Sequence, residues 1–166
     1  MKTINRIWVV ATVLTLTGIF TVNAQNIQKH KMLTGALNPW KLSVSYSEDH
    51  SKTNNYLLSV GNEEYGKKRD GSYFEDYSFW GTAEEMIEFL EEIKITRRLE
   101  QDETCTLQSR LAQEAGCFAA KNRIHYDTRV SSSTVNYGGY TFVVREKYLE
   151  ELISKIRKFE DESKGN

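Results

Sequence analysis

The chain carries no charge surplus, no redox-spaced cysteine pair, no hydrolytic signature and no second long apolar run, and each absence removes a class of protein. Lys and Arg number 22 against 23 Asp and Glu. A nucleic-acid binder usually shows a clear basic excess, so no nucleic-acid partner is expected. The two cysteines do not form a Cys-x-x-Cys, the arrangement a dithiol oxidoreductase uses. There is no Gly-x-Ser-x-Gly elbow, Ser-x-x-Lys, His-Glu-x-x-His or phosphate-cradling glycine loop, so no catalytic residue, cofactor or metal set is assigned. Asn-x-Ser/Thr is also absent, which favours a bacterial periplasm over a eukaryotic secretory route.

The one long apolar run stands at the start. Lys2 and Arg6 precede Ile7–Val22, and Val22-Asn23-Ala24 offers the small residues a signal peptidase reads, with Gln25 next. The run is shorter than the ~20 residues that cross a bilayer comfortably and contains four threonines. Residues 1–24 are therefore expected to be a removable export signal rather than an anchor, leaving no membrane span. The 142 residues after it fit one domain and carry 20 basic against 23 acidic side chains. With 39% apolar, 11% aromatic and 27% charged residues, the composition is that of a folded domain.

The fold class expected is α+β: an antiparallel sheet with two amphipathic helices on one face. Residues 25–40, polar and without a sustained period, read as an N-terminal arm, and 41–166 as the domain. Lys41–Ser47 alternates, with Leu42, Val44 and Tyr46 on one side, as a half-buried strand does. Tyr56–Val60 and the aromatic-rich Tyr73–Trp80 read as further strands, separated by a polar connection with a turn at Asp70-Gly71. Phe118–Thr128 reads as one long strand, with Phe118, Ala120, Ile124 and Tyr126 inward. Tyr137-Gly138-Gly139-Tyr140 reads as a bend before the last strand.

Thr82-Ala83-Glu84-Glu85 is a capping box that opens a helix with an apolar stripe of Met86, Ile87, Phe89, Leu90 and Ile93. Tyr148, Leu149, Leu152, Ile153, Ile156 and Phe159 repeat that stripe, and Glu151 and Lys155 form a well-oriented i,i+4 pair. Tyr77–Trp80 aligns with Tyr140–Val143 at an offset of 63, which also places Met86 on Leu149 and Phe89 on Leu152. The offset suggests two strands-then-helix units, although any strand followed by an amphipathic helix aligns in this way.

Candidate chemistry is sparse. Glu48-Asp49-His50 reads as a solvated loop rather than a metal site. Glu84, Glu85, Glu88, Glu91 and Glu92 read as dipole complement and wet face. A Cys–His nucleophile needs a thiol and an imidazole that meet in space, and His30, His50 and His125 with two cysteines supply only the pairs any such chain would, so no dyad is assigned. Among Tyr73, Phe74, Tyr77, Phe79 and Trp80, core packing outweighs a sugar-stacking platform. Cys105 and Cys117 are expected to form a structural disulfide, provided the segment between them is a hairpin or compact loop.

The most distinctive pattern is a mainly cationic ladder of Lys121, Arg123, His125, Asp127 and Arg129 on the wet face of a sheet. Ordinary solubility explains such a row, but it also suits recognition of an acidic protein surface or an anionic glycan. The leading expectation is an exported, non-enzymatic binding protein, for which an inhibitor- or immunity-like role suits the size and export signal. The competing expectations are a small exported hydrolase of glycans or peptides, and a structural subunit of an envelope assembly.

Overall fold

The computed structural model describes residues 27–35, 38–49, 51–67, 69, 71, 73–126 and 140–164. The export segment, His50, Asp70 and the Tyr137–Gly139 bend lie outside the described residues. Among the described residues, two antiparallel four-stranded sheets and three α-helices make an α+β fold. The first sheet runs in chain order: β1 (Gln28–Met32), β2 (Trp40–Ser47), β3 (Asn55–Lys67) and β4 (Tyr73–Gly81), followed by helix α1 (Ala83–Glu92). A 3-10 turn, Ile93–Arg97, leads to β5 (Thr104–Thr106) and the short helix α2 (Arg110–Glu114). Then come β6 (Phe118–Ala120), β7 (Arg123–Tyr126) and β8 (Tyr140–Val143), which complete the second sheet with β5 in chain order, and helix α3 (Glu146–Lys164). Each unit is thus four meandering strands followed by a helix. No helix among the described residues is long and apolar enough to cross a membrane.

Three expectations need correction. A single sheet was anticipated, and there are two. The supposed arm contributes β1, which pairs with β2 from Gln28↔Ser47 to Met32↔Ser43. The polar stretch after Val60 continues β3 to Lys67, with register shifts after Val60 and after Asn62.

Alternation explains which face of the first sheet is buried. Trp40, Leu42 and Val44 on β2 stand beside Val60, Leu58 and Tyr56 on β3, all at most 1% exposed. Tyr77 and Phe79 continue this face on β4. Helices α1 and α3 pack on it. Phe89 of α1 lies 4.6 Å from Phe79, and Phe159 of α3 meets Tyr46 and Tyr56 at 5.2 and 6.4 Å between ring centroids. The second sheet closes the same core: Phe142 meets Trp40 edge-on at 5.4 Å, and Tyr126 lies 4.7 Å from Tyr77. The residues matched at the 63-residue offset occupy equivalent buried places, since Phe79 and Phe142, Met86 and Leu149, and Phe89 and Leu152 are all in the core.

The capping box forms as expected. The Glu85 N–H donates to Thr82 Oγ1, and the Thr82 N–H donates to the Glu85 carboxylate at 2.9 Å. That carboxylate also takes two bonds from Arg110, at 2.6 and 2.8 Å, and Arg110 reaches the Trp80 carbonyl on the β4 edge at 3.2 Å. Gly81 leaves room for this clasp, because a Cβ there would stand 3.0 Å from Glu85 Oε2. Hydrogen bonds from Arg110 and then from the Thr82 N–H hold the Glu85 carboxyl down at about 2. The folded value lies below the ordinary 4.5, so the clasp stabilises fully above pH 4.5 and loses its effect as pH falls towards 2. Glu85→Gln should therefore flatten the dependence of urea midpoint on pH across that window, while leaving the neutral-pH midpoint lower than in the wild type.

Helix α2 ends in a Schellman motif: the Cys117 N–H donates to Ala112 O at 2.7 Å and the Gly116 N–H to Gln113 O at 3.0 Å. Gly116 adopts φ 61°, where a side chain would be strained. Its N-terminal end is held by Glu92, whose carboxylate accepts from the Gln108 and Ser109 N–H groups.

The cysteines are unbonded, contrary to expectation. Cys105 pairs with Ala119 across β5 and β6, while Cys117 lies before β6 in the turn that ends α2. Cys117 is buried, and burial followed by the nearby Glu92 pushes its thiol up to about 12. Cys105 is half-exposed. Iodoacetamide should label Cys105 alone in the native protein and both thiols after denaturation, with no dependence on reductant. Two protected thiols that appear only after reduction would restore the disulfide.

Candidate functional site

The ladder expected on one strand is split by a hairpin. Ala120 pairs with Arg123, and Lys121-Asn122 form the two-residue turn between β6 and β7, with Asn122 at φ 54°. The turn reverses the parity: Ala119, Ile124, Tyr126 and Phe142 point inward, and Phe118, Ala120, Arg123 and His125 outward. Phe118 and Ala120 are therefore not core residues, and Phe118 is 41% exposed. Lys121 leaves the row altogether and donates to the Arg97 carbonyl at 3.1 Å. Arg123 and His125 do share the outward face of the second sheet. His125 stacks on Phe118, its cross-strand partner, at 4.8 Å and 14°. Burial, reinforced by Arg123, lowers the His125 pKa below 6.5, so the ring is mostly neutral at neutral pH. Asp127 and Arg129 lie outside the described residues. Among the described residues, the part of the ladder on the outward face is Arg123 beside a largely uncharged Phe118–His125 pair.

A more ordered array lies on the outward face of the first sheet. Cross-strand pairing carries one row across all four strands: Met32 opposite Ser43, Ser43 opposite Leu57, and Leu57 opposite Trp80. Trp80 and Met32 are each 56% exposed, and Leu57 is half-buried between them. The rows on either side are polar. On one side His30, Ser45 and Asn55 stand in register, with Ser45 Oγ and His30 Nδ1 hydrogen-bonded at 2.7 Å. On the other stand Lys41, Ser59 and Ser78, the two serine hydroxyls 3.0 Å apart. Strands lie about 4.8 Å apart, so the row spans roughly 14 Å, with Leu57 and Trp80 adjacent and Met32 separated from them by Ser43. On β4, Tyr77 and Phe79 face inward and Trp80 outward, and sequence reading did not find the row. The signal for it is spread over three strand pairings.

A third feature is a polar groove of about 490 Å³ where the β2–β3 loop meets the start of α1 and the end of α3. Glu160 stands in its wall and accepts at one oxygen from Asn54 Nδ2, 2.9 Å away, and from the Tyr56 hydroxyl, 2.7 Å away. Burial, and then the bond to Glu160, pushes the Tyr56 hydroxyl well above its ordinary range, so it stays protonated and donating. Tyr56 is fully buried, which makes this pair a structural tie between β3 and α3 rather than an acid–base couple open to a substrate.

Together these features define a small α+β protein of two meander-and-helix units, built around one core and presenting wet sheet faces. No family model, no curated protein and no solved structure matches this chain.

Proposed function

We propose that this is an exported, non-enzymatic binding protein that docks its partner on the outward face of the first sheet. The single observation that supports this reading is the exposed Trp80 beside Leu57, in register with Ser43 and the exposed Met32. Interfaces characteristically set Trp and Met at a water-excluding centre with polar groups around it, and the exposed His30, Asn55 and Ser78 in the flanking rows supply such groups. An inhibitor- or immunity-like role belongs to the same class. Export rests on Lys2, Arg6, the apolar run after them and the Val22–Ala24 cleavage pattern, and a mature N-terminus at Gln25, read by mass spectrometry, would support it.

Trp80 separates this face from the one anticipated on the second sheet. Trp80→Ala should weaken capture of a partner from the native envelope by ~30-fold, as loss of an interface hot spot of about 2 kcal/mol does, and leave the melting temperature nearly unchanged. Lys121→Glu with Arg123→Glu should leave capture intact. The reverse pattern would move the site to the second sheet and remove the reason for choosing Trp80.

A further inference from the structure

We propose that the groove where the β2–β3 loop meets the start of α1 and the end of α3 binds a free α-amino acid as its zwitterion. The site is distinct from the sheet face on which the docking reading rests. Thr82, Ala83 and Glu84 form its α1 wall, and that wall donates. The Glu85 N–H bonds to the Thr82 hydroxyl, and the Met86 N–H begins the helical bonding at the Thr82 carbonyl. The Ala83 and Glu84 N–H groups, at the first two helical positions, have no acceptor within the helix. They stand at the positive end of the α1 dipole, which favours an anionic group.

The wall that Asn54 and Glu160 form accepts instead. Asn54 lines the groove and is 7% exposed; its Nδ2 bonds to Glu160 at 2.9 Å, while its Oδ1 has no partner among the described residues. A buried amide oxygen without a donor is destabilising and uncommon in a native fold, and a donor bound in the groove satisfies it. Glu160 Oε1 already accepts from Asn54 and from Tyr56, so Oε2 is the oxygen left for a ligand. Asn54 Oδ1 and Glu160 Oε2 belong to one hydrogen-bonded pair, which suits the several protons of a single ammonium group.

The charge of the lining selects a zwitterion over a simple anion or cation. Among the described residues, Lys52 and Lys164 are matched by Glu84 and Glu160, so the groove has no net charge while its donors and acceptors are separated. A phosphate or a polyamine would meet like charges as often as opposite ones. An α-amino acid brings one carboxylate for the α1 N–H groups and one ammonium for Asn54 and Glu160, joined through one carbon. At about 490 Å³ the groove also has room for the side chain.

The common α-amino acids are titrated into the folded protein and read by calorimetry and ligand-observed NMR. At least one should bind saturably. Its N-acetyl derivative, without the ammonium, and its carboxamide, without the carboxylate, should each bind ~tenfold or more weakly, as loss of a charge-assisted hydrogen bond does. Ala83→Pro removes one N–H from the groove wall and leaves the helix intact. Proline suits the first helical position, and Thr82, at φ −69° and ψ 170°, already has the extended backbone that precedes a proline. This variant should bind ~tenfold more weakly at an unchanged melting temperature, whereas Ala83→Ser, which keeps the N–H, should bind as the wild type does. Glu160→Gln, which keeps an acceptor but not the charge, should weaken binding severalfold. Absence of binding across the series overturns the inference, as does binding that acetylation or amidation leaves unchanged. Binding undiminished in folded Ala83→Pro places the ligand elsewhere and overturns it equally.

Discussion

Phe142→Ala is expected to lower the unfolding free energy by about 3–5 kcal/mol and the thermal midpoint by ~10 °C. Phe142 is 1% exposed and stands where the two sheets meet, with its ring against Trp40 at 5.4 Å, Phe79 at 6.2 Å and Tyr126 at 6.1 Å. Truncation removes a large apolar side chain and leaves a cavity that three other rings line. Those rings are themselves fixed by neighbours on two sheets, so the site collapses poorly. Phe142→Leu, which keeps most of the volume, should cost much less. Phe118→Ala is the informative control, since Phe118 lies on β6 of the same sheet but faces outward, and its effect should stay within ~0.5 kcal/mol. Urea unfolding followed by fluorescence and by circular dichroism should give one coincident transition in every variant, because both units share one core. Two separated transitions would show that each four-strand-and-helix unit folds by itself.

The parts of this fold legible in the sequence are those fixed by local chemistry. The Thr82–Glu85 box and the two apolar stripes specify α1 and α3, and Leu42–Val44–Tyr46 specifies the inward face of β2. Each signal is complete within about ten residues. The β6–β7 hairpin was missed because Phe118-Ala119-Ala120 does not determine which parity is inside. Phe118 has the larger apolar surface, yet Ala119 takes the core position and Phe118 stacks on His125. The available clue was Asn122, a residue that tolerates the left-handed conformation found there. β1 was hidden for a related reason. Its Lys29 and Lys31 face the buried side, where a strand pattern calls for apolar residues. They are tolerated because β1 is an edge: Lys29 reaches Glu48 at 2.6 Å, and the Lys31 ammonium lies 5.3 Å from the Phe159 ring. Inward lysines on an edge strand also discourage pairing with other chains. The Trp80 row depends on three registers at once, and register between strands is set by the assembled core rather than by any single segment.

Glu160→Ala carries the second large effect, because one carboxylate oxygen serves two donors. Removing it leaves the fully buried Tyr56 hydroxyl and the Asn54 amide without their acceptor. An unsatisfied buried donor costs about 1–3 kcal/mol, and the two donors differ in how far water can replace the lost bond. Asn54 lines the groove beside α3, where solvent can reach. Tyr56, 0% exposed beneath Phe159, has no such access. The expected loss is therefore about 2 kcal/mol, most of it from the tyrosine. Glu160→Gln retains a carbonyl acceptor at the same place and should cost less than half as much. Adding Tyr56→Phe to Glu160→Ala should restore stability relative to Glu160→Ala alone, because the stranded hydroxyl is gone, whereas Tyr56→Phe in the wild-type background should destabilise. A double-mutant cycle read by urea unfolding measures this coupling. Additive losses would mean that Tyr56 finds another partner when Glu160 is removed, and the tie between β3 and α3 would then rest on the Phe159 ring contacts alone.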